Sequence, residues 1–130
     1  MATRPEIRAA VAAILETLVT TSFPYRPNYM NPEDLPASSV YLEAGDTEVD
    51  HDDNYASDSM LMIEFFVNGM GDLDSQLDAL DASFMALIKN NDELGGLVDG
   101  MIRSGFAYDR DPESMSSSLA LTFKISYEED

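Results

Sequence analysis

The residues best suited to chemistry lie close together near the middle of the chain. Asp50, Asp52 and Asn54 have the spacing of the first three ligands of an EF-hand calcium loop. An EF-hand also needs glycine at its sixth position and a chelating glutamate at its twelfth, but this sequence has Tyr55 and Leu61 there. The sequence therefore excludes an EF-hand, and we expect no cofactor at this site.

No catalytic group has the partners that it would need. His51 is the only histidine, and it lies in an acidic run where no apolar neighbours would hold its geometry. Neighbouring aspartates such as Asp53 attract cations loosely, but a solvated run of charge is the simpler interpretation. The chain has no cysteine, and it lacks a phosphate-binding glycine loop, an HExxH motif and a nucleophile elbow. We therefore predict that the protein is not an enzyme.

The overall charge narrows the range of partners. The 130 residues include 25 Asp and Glu against 7 Lys and Arg, a formal net charge of −18. Such a surface repels nucleic-acid phosphates and anionic lipids, so we expect neither specific nucleic-acid binding nor membrane binding. No stretch approaches the roughly 18 apolar residues of a spanning helix, and the first residues lack the layout of a secretion signal. The length predicts one domain over residues 1–130.

Hydrophobic spacing predicts the elements that must position these residues. A capping box of Thr3 and Glu6 precedes a helix over residues 5–20, and Asp72 can cap a second amphipathic helix. A shorter helical pattern over residues 94–102 is weakened by three glycines. Strands are predicted over residues 40–43, 59–67, 106–108 and 117–127.

The order of these elements predicts the fold class. The sequence α, β, β, α, α, β, β places strands beside helices that can cover only one sheet face. We therefore predict an α+β fold, with a small mixed or antiparallel sheet and two main helices packed on one face. The acidic residues 44–58 between the first two strands form either an extended hairpin, which we favour, or a loop.

A proline-rich segment follows the first helix. Residues 22–36 contain four prolines and are predicted to form a loop of 15 residues. A loop of that length is uncommon in a compact domain and is usually functional. Its apolar residues Phe23, Tyr25, Tyr29 and Met30 either dock onto a partner or fold back onto the core, and both interpretations stay open.

The strand over residues 59–67 is apolar on nearly both faces. Its second face carries Met60, Met62, Glu64 and Phe66, which a partner would cover if the domain itself covers only the first face. Glu64 is then either a buried acid that pairs with a cation such as Lys124 or a neighbouring subunit's arginine, or an edge residue that faces water.

Charge is segregated along the chain. The 62 residues 27–88 hold fourteen acids and no Lys or Arg, whereas four of the seven cations lie in the last third of the chain. This polarity suits head-to-tail association of copies into a ring, although a surface that only favours solubility has the same pattern. A hairpin placed against a neighbour would also hide a sheet edge. The candidate contact residues are the acids Asp46, Glu48, Asp50, Asp52, Asp53 and Glu64, the apolar residues Met60, Met62 and Phe66, and the cations Arg103, Arg110 and Lys124.

Six segments occur in the order and spacing of a known protein family. They are residues 6–11, 35–36 leading into 40–42, 61–66, 74–79, 104–111 and 121–128. The most distinctive are Ser-Gly-Phe-Ala-Tyr-Asp-Arg-Asp at 104–111 and Leu-Thr-Phe-Lys-Ile-Ser-Tyr-Glu at 121–128. Over almost the whole chain, the sequence resembles the tail terminator family of long-tailed bacteriophages, the lambda U-type proteins. The proline-rich loop and the acidic segment depart most from that family.

The resemblance implies a structural, non-enzymatic virion protein at the neck end of the tail, assembled in the host cytoplasm. It implies a homohexameric ring that caps the tail tube, stops its polymerisation and offers its other face to the head–tail connector. DNA passes through such a ring, and divalent cations could aid its assembly by relieving repulsion between acids. Two alternatives stay open: an acidic inhibitor that mimics DNA, and another neck or tail-completion ring protein.

Overall fold

The first helix begins where the capping box places it. The computed structural model describes residues 2–49 and 55–129. In it α1 spans Arg4–Leu15, the Thr3 hydroxyl accepts a hydrogen bond from the Glu6 amide (3.3 Å), and the Glu6 carboxylate accepts one from the Thr3 amide (3.2 Å). The helix ends before residue 20, where the prediction placed its end. It is shorter because the chain turns and enters a strand, from which the Ser22 hydroxyl donates to the Ala12 carbonyl.

Five strands form one sheet with the order β1-β2-β3-β5-β4. β1 pairs with β2 in parallel, and every other pairing within the sheet of described strands is antiparallel. The sheet is therefore mixed, with β3 and β5 central and β4 at one edge. The strands are β1 (Thr21–Phe23), β2 (Ala37–Val49), β3 (Tyr55–Asn68), β4 (Met101–Asp111) and β5 (Ser116–Glu129).

Both helices pack on the same face of the sheet, as predicted, and the α+β fold class is confirmed. α2 spans Leu73–Ile88, and the carboxylate of its N-cap Asp72 accepts a hydrogen bond from the Ser75 amide (3.0 Å). The rings of Phe84 on α2 and Phe123 on β5 meet edge to face at 5.9 Å in the core. Neither helix of the described chain is long and apolar enough to cross a membrane. The buried side chains of β3 and β5 include Leu61, Ile63, Phe65, Val67, Leu119, Leu121, Phe123, Ile125 and Tyr127.

Residues 94–102 do not form the predicted helix. Leu94–Gly96 is a single 3-10 turn, in which Gly95 and Gly96 have φ angles of 69° and 97°, and β4 begins at Met101. These left-handed conformations favour glycine and interrupt a right-handed helix. β4 is also longer than the predicted residues 106–108. The prediction was too short because most side chains of β4 are exposed, so its sequence lacks the apolar and polar alternation of a half-buried strand.

Residues 22–36 hold more regular structure than the predicted loop. β1 overlaps the beginning of this segment, and Pro32–Asp34 forms a 3-10 helix near its end. The Asn31 amide donates a hydrogen bond to the Asp34 carboxylate (3.0 Å) at the start of that helix. Proline suits the first position of a helical turn because its φ is already fixed and its missing N–H has no partner to lose.

β2 and β3 form a long antiparallel ladder whose far end is exposed. Pairing continues as far as Val49 and Tyr55, with an irregularity between Leu42 and Gly45. A Cβ added at Gly45 would lie 2.3 Å from the carbonyl oxygen of Asp58, so the strands approach too closely there for any other residue. Residues 50–54 lie outside the described residues, so the acidic hairpin stays a prediction at its tip.

Candidate functional site

The face of the sheet that points away from both helices carries the second side of β3. Met60, Met62, Glu64 and Phe66 lie on this outer face, and all four are half-buried. Lys124 of β5 pairs with Met60 and lies on the same face with its side chain exposed. The structure therefore brings these five predicted contact residues together on one mixed apolar and charged surface.

Glu64 lies on a central strand, so it is not an edge residue. Burial raises the pKa of the Glu64 carboxyl, and the positive charge of Arg26 opposes that rise. Arg26 belongs to the segment after β1, and its guanidinium carbon lies 4.4 Å from the centre of the Tyr41 ring. The cation near Glu64 is therefore Arg26 of the same chain, whereas Lys124 of β5 lies beside Met60, four residues before Glu64 on β3.

The aromatic segment after β1 lies over the outer face. The Ser39 hydroxyl donates a hydrogen bond to the Tyr25 carbonyl (3.0 Å), and the rings of Phe23 and Tyr25 meet at 5.7 Å. Further along, Tyr29 is 74% exposed and Met30 is half-buried. Of the four predicted docking residues, Phe23 and Tyr25 are thus held by contacts within the chain, whereas Tyr29 is largely exposed. Their part in docking stays a prediction.

The acidic candidates lie partly within the described residues. Asp46 and Glu48 are on β2 with exposed side chains, and Asp46 pairs with Asp58 of β3. In the two described ranges, no group of His, Cys, Asp and Glu could hold a metal ion. The remaining candidates, Asp50, Asp52 and Asp53, lie outside the described residues.

The three basic candidates do not form one cluster. Lys124 is on the outer face, whereas Arg103 of β4 is on the helix side, where its guanidinium donates two hydrogen bonds of 2.8 Å to the carboxylate of Asp81 on α2. Arg110 is exposed near the other end of β4, about 23 Å from Arg103 at roughly 3.3 Å per residue. Sequence reasoning missed the internal ion pair because its partners lie 22 residues apart on different elements.

β4 carries exposed apolar side chains on both of its faces, which sequence reasoning did not single out. Ile102 and Phe106 are 69% and 62% exposed, and the rings of Phe106 and Tyr108 meet edge to face at 5.8 Å. The Tyr108 hydroxyl donates to the carboxylate of Asp78 on α2, and this hydrogen bond raises the pKa of Tyr108 to about 12. The available signal was the spacing of Phe106 and Tyr108, which places both rings on one face of a strand; the irregularity between Arg103 and Gly105 puts Ile102 on the opposite face.

An open groove of about 590 Å³ lies near the exposed end of the sheet. Met60, Ile102 and Lys124 line it, together with the acids Asp46 and Asp58. Apolar side chains surrounded by charges of both signs are typical of protein contact surfaces. The groove therefore extends from the outer face of β3 and β5 to Ile102 of β4.

A comparison with models of protein families matches nearly the whole chain. The model of the family described as phage minor tail protein U matches residues 2–127. A solved structure of the virion of a native gene transfer agent particle contains a similar chain, with 15% identity, a TM-score of 0.47, and coverage of 92% of this chain and 85% of that chain. A search of curated protein sequences finds no match. Because the family model spans nearly the whole chain, this protein belongs to the phage minor tail protein U family and is a structural protein of the phage tail.

Proposed function

We propose that this tail protein is a tail terminator. Six copies form a ring that caps the end of the tail tube, stops its polymerisation and provides the surface on which the head joins the tail. The role is steric, and it requires no catalysis. The ring face towards the tube imitates the next layer of tube protein, while the opposite face lacks the surface that another layer would need.

The observation that carries this proposal is that the helices cover only one face of the sheet. Both helices pack on one face, which leaves Met60, Met62 and Phe66 of the outer face half-buried and β4 at an open edge. A monomer seldom leaves apolar side chains and a long strand edge together without a partner. A ring of identical copies supplies such a partner through two different surfaces of each copy, which is the arrangement that lets a ring close.

The remaining partners follow from the same proposal. The tube protein contacts the segment that carries Tyr25 and Tyr29, whose exposed rings suit protein docking. A neck or connector protein of the head contacts the opposite face. The protein is assembled in the host cytoplasm and lies at the neck end of the tail. DNA passes through the ring without specific binding, since an acidic surface repels phosphate.

Electron microscopy of particles that lack this protein tests the proposal. Overlong tails without heads are expected, and expression of the intact protein from a plasmid should restore normal tails. Tails of normal length that fail to join heads would instead indicate a neck or completion protein. A purified chain that stays monomeric and binds basic proteins would indicate an acidic inhibitor, so both outcomes would overturn the proposal.

A further inference from the structure

β4 presents a long unpaired strand edge. It has 11 residues, it is the last strand of the sheet, and no other strand of the described chain pairs with its outer side. Exposed apolar side chains flank this edge on both faces, with Ile102 on the outer face and Phe106 on the helix side. A long edge flanked by apolar side chains is a template for pairing with another strand.

The opposite side of the sheet presents a second open edge. β1 pairs with β2 only at Ala37, Ser38 and Ser39, so the rest of β2 up to Val49 has no described strand on its outer side. This stretch of ten residues nearly matches the length of β4. Each copy therefore has two unpaired edges of similar length on opposite sides of one sheet.

The directions of these two strands allow them to pair between copies. Three successive antiparallel pairings, β2 with β3, β3 with β5 and β5 with β4, make β4 run opposite to β2. When two copies are related by rotation about an axis along the strands, β4 of one therefore meets β2 of the next in antiparallel orientation, which is the stronger type of pairing.

The charges along the two edges are complementary. The open stretch of β2 carries Glu43, Asp46 and Glu48 and no cation. The first seven residues of β4 carry no acid, and the exposed Lys124 of β5 lies beside Ile102 on the outer face, whereas Arg103 is already paired with Asp81 on the helix side. Opposite charges across an interface favour this pairing over contact between two copies of the same edge, where like charges would meet.

We propose that the open edge of β4 in one copy pairs in antiparallel orientation with the open edge of β2 in the next, so that the sheet continues from subunit to subunit. This inference rests on the proposed ring and assigns the two strands that build it. The occupant of the β4 edge is thus a second copy of this chain. Pairing covers Ile102 and Phe106 and leaves no copy with an open edge once the ring closes.

Cysteine cross-linking tests the pairing directly, because the chain has no cysteine of its own. Ile102→Cys is combined in turn with Ala44→Cys, Asp46→Cys or Glu48→Cys. These three positions span about 13 Å of β2 at roughly 3.3 Å per residue, so they test several possible registers of β4 against β2. Within one copy, β2 and β4 are separated by two strands, or about 14 Å, whereas a disulfide needs Cα atoms within about 7 Å. Any disulfide between these positions must therefore join two copies.

Oxidation of the purified variants in the presence of Mg²⁺ gives the result. For at least one pair, we expect a ladder of covalent species up to the hexamer in denaturing gels. The single-cysteine variants should give no species beyond a dimer. The matched control combines Glu48→Cys with Met70→Cys, which places an equally accessible thiol at a residue that is 84% exposed in the turn after β3. We expect no ladder from that control.

Native mass spectrometry of the unmodified protein separates the two possible failures. Hexamers without a ladder from any of the three pairs would overturn the strand pairing and leave the proposed ring intact. The absence of any hexamer under the same conditions would overturn both. Cross-links from Ile102→Cys to a purified tube protein that carries its own engineered cysteine, without links between copies, would assign the β4 edge to the tube instead and would also overturn the pairing.

Discussion

The ion pair between Arg103 of β4 and Asp81 of α2 leads to a quantitative prediction for stability. Two hydrogen bonds of 2.8 Å join the guanidinium to the carboxylate, and the side chains are 31% and 17% exposed. Exposed ion pairs contribute about 0.2–1 kcal/mol, whereas loss of one partner from a fully buried pair costs about 3–5 kcal/mol. A bidentate pair that is partly exposed falls between these limits, so we expect Arg103→Met to cost about 1–2 kcal/mol.

A double-mutant cycle isolates this interaction. Arg103→Met keeps most of the aliphatic stem, and Asp81→Ala raises the helix propensity of α2, an effect that cancels in the cycle because it occurs with and without Arg103. Urea unfolding of each variant, followed by far-UV circular dichroism, gives the four free energies of unfolding. We expect a coupling of about 1 kcal/mol, and a fall in Tm of about 4–8 °C for Arg103→Met alone.

The outcome distinguishes two roles for Arg103. Mutations at independent sites add to within about 0.3 kcal/mol, so a coupling energy below that value would refute the structural role of the pair. If Arg103→Met then left unfolding unchanged but weakened ring formation, Arg103 would be a contact residue, as the sequence predicted. A measurable coupling in the monomer means instead that the Arg103 charge already has a partner in its own subunit.

Three further predictions concern charged and titratable side chains. Arg110→Glu should weaken ring formation in light scattering, since it reverses an exposed charge on β4; unchanged oligomerisation would remove Arg110 from the interface. Glu64→Gln should raise Tm at pH 7, because the raised pKa means that the charged carboxyl is less stable in the folded state than in the unfolded one. That penalty disappears as the pH falls through the folded-state pKa, so the advantage of the variant should shrink towards pH 4. Asp78→Asn should lower the pKa of Tyr108 from about 12 towards 10 in an absorbance titration, and Tyr108→Phe should remove that transition; a transition that survives in Tyr108→Phe would assign it to another tyrosine.

The parts of the fold that the sequence predicted are those in which local signals and burial agree. The capping box of Thr3 and Glu6 placed the start of α1, and Asp72 placed the start of α2. The alternating apolar residues of β5 gave that strand within two residues at each end, because one of its faces is fully buried against the helices. Each of these signals depends on residues a few positions apart, which the sequence displays directly.

The parts that could not be predicted depend on contacts distant in sequence. Residues 94–102 looked helical because Leu94, Leu97 and Val98 have helical spacing, but the φ angles of Leu94, Gly95 and Gly96 are all left-handed and interrupt the helix. The candidate site shows the same limit. The sequence grouped Arg103, Arg110 and Lys124 by charge. In the sheet, Lys124 and Arg103 lie on opposite faces, and Arg110 lies near the other end of β4.

The internal contacts of β4 also bear on the proposed pairing between copies. Arg103 of β4 donates hydrogen bonds to Asp81 of α2, and Tyr108 of β4 donates one to Asp78. These contacts order the edge strand before any partner binds. Ordering a flexible segment on binding costs about 0.5–1.5 kcal/mol for each immobilised side chain, and a strand that is already fixed avoids most of that cost. The acids of α2 therefore assist association without touching the neighbouring copy. It follows that Asp78→Ala and Asp81→Ala should slow cross-linking through Ile102→Cys even though both lie on the helix, whereas Asp74→Ala, which removes an acid of α2 that makes no hydrogen bond to β4, should leave its rate unchanged.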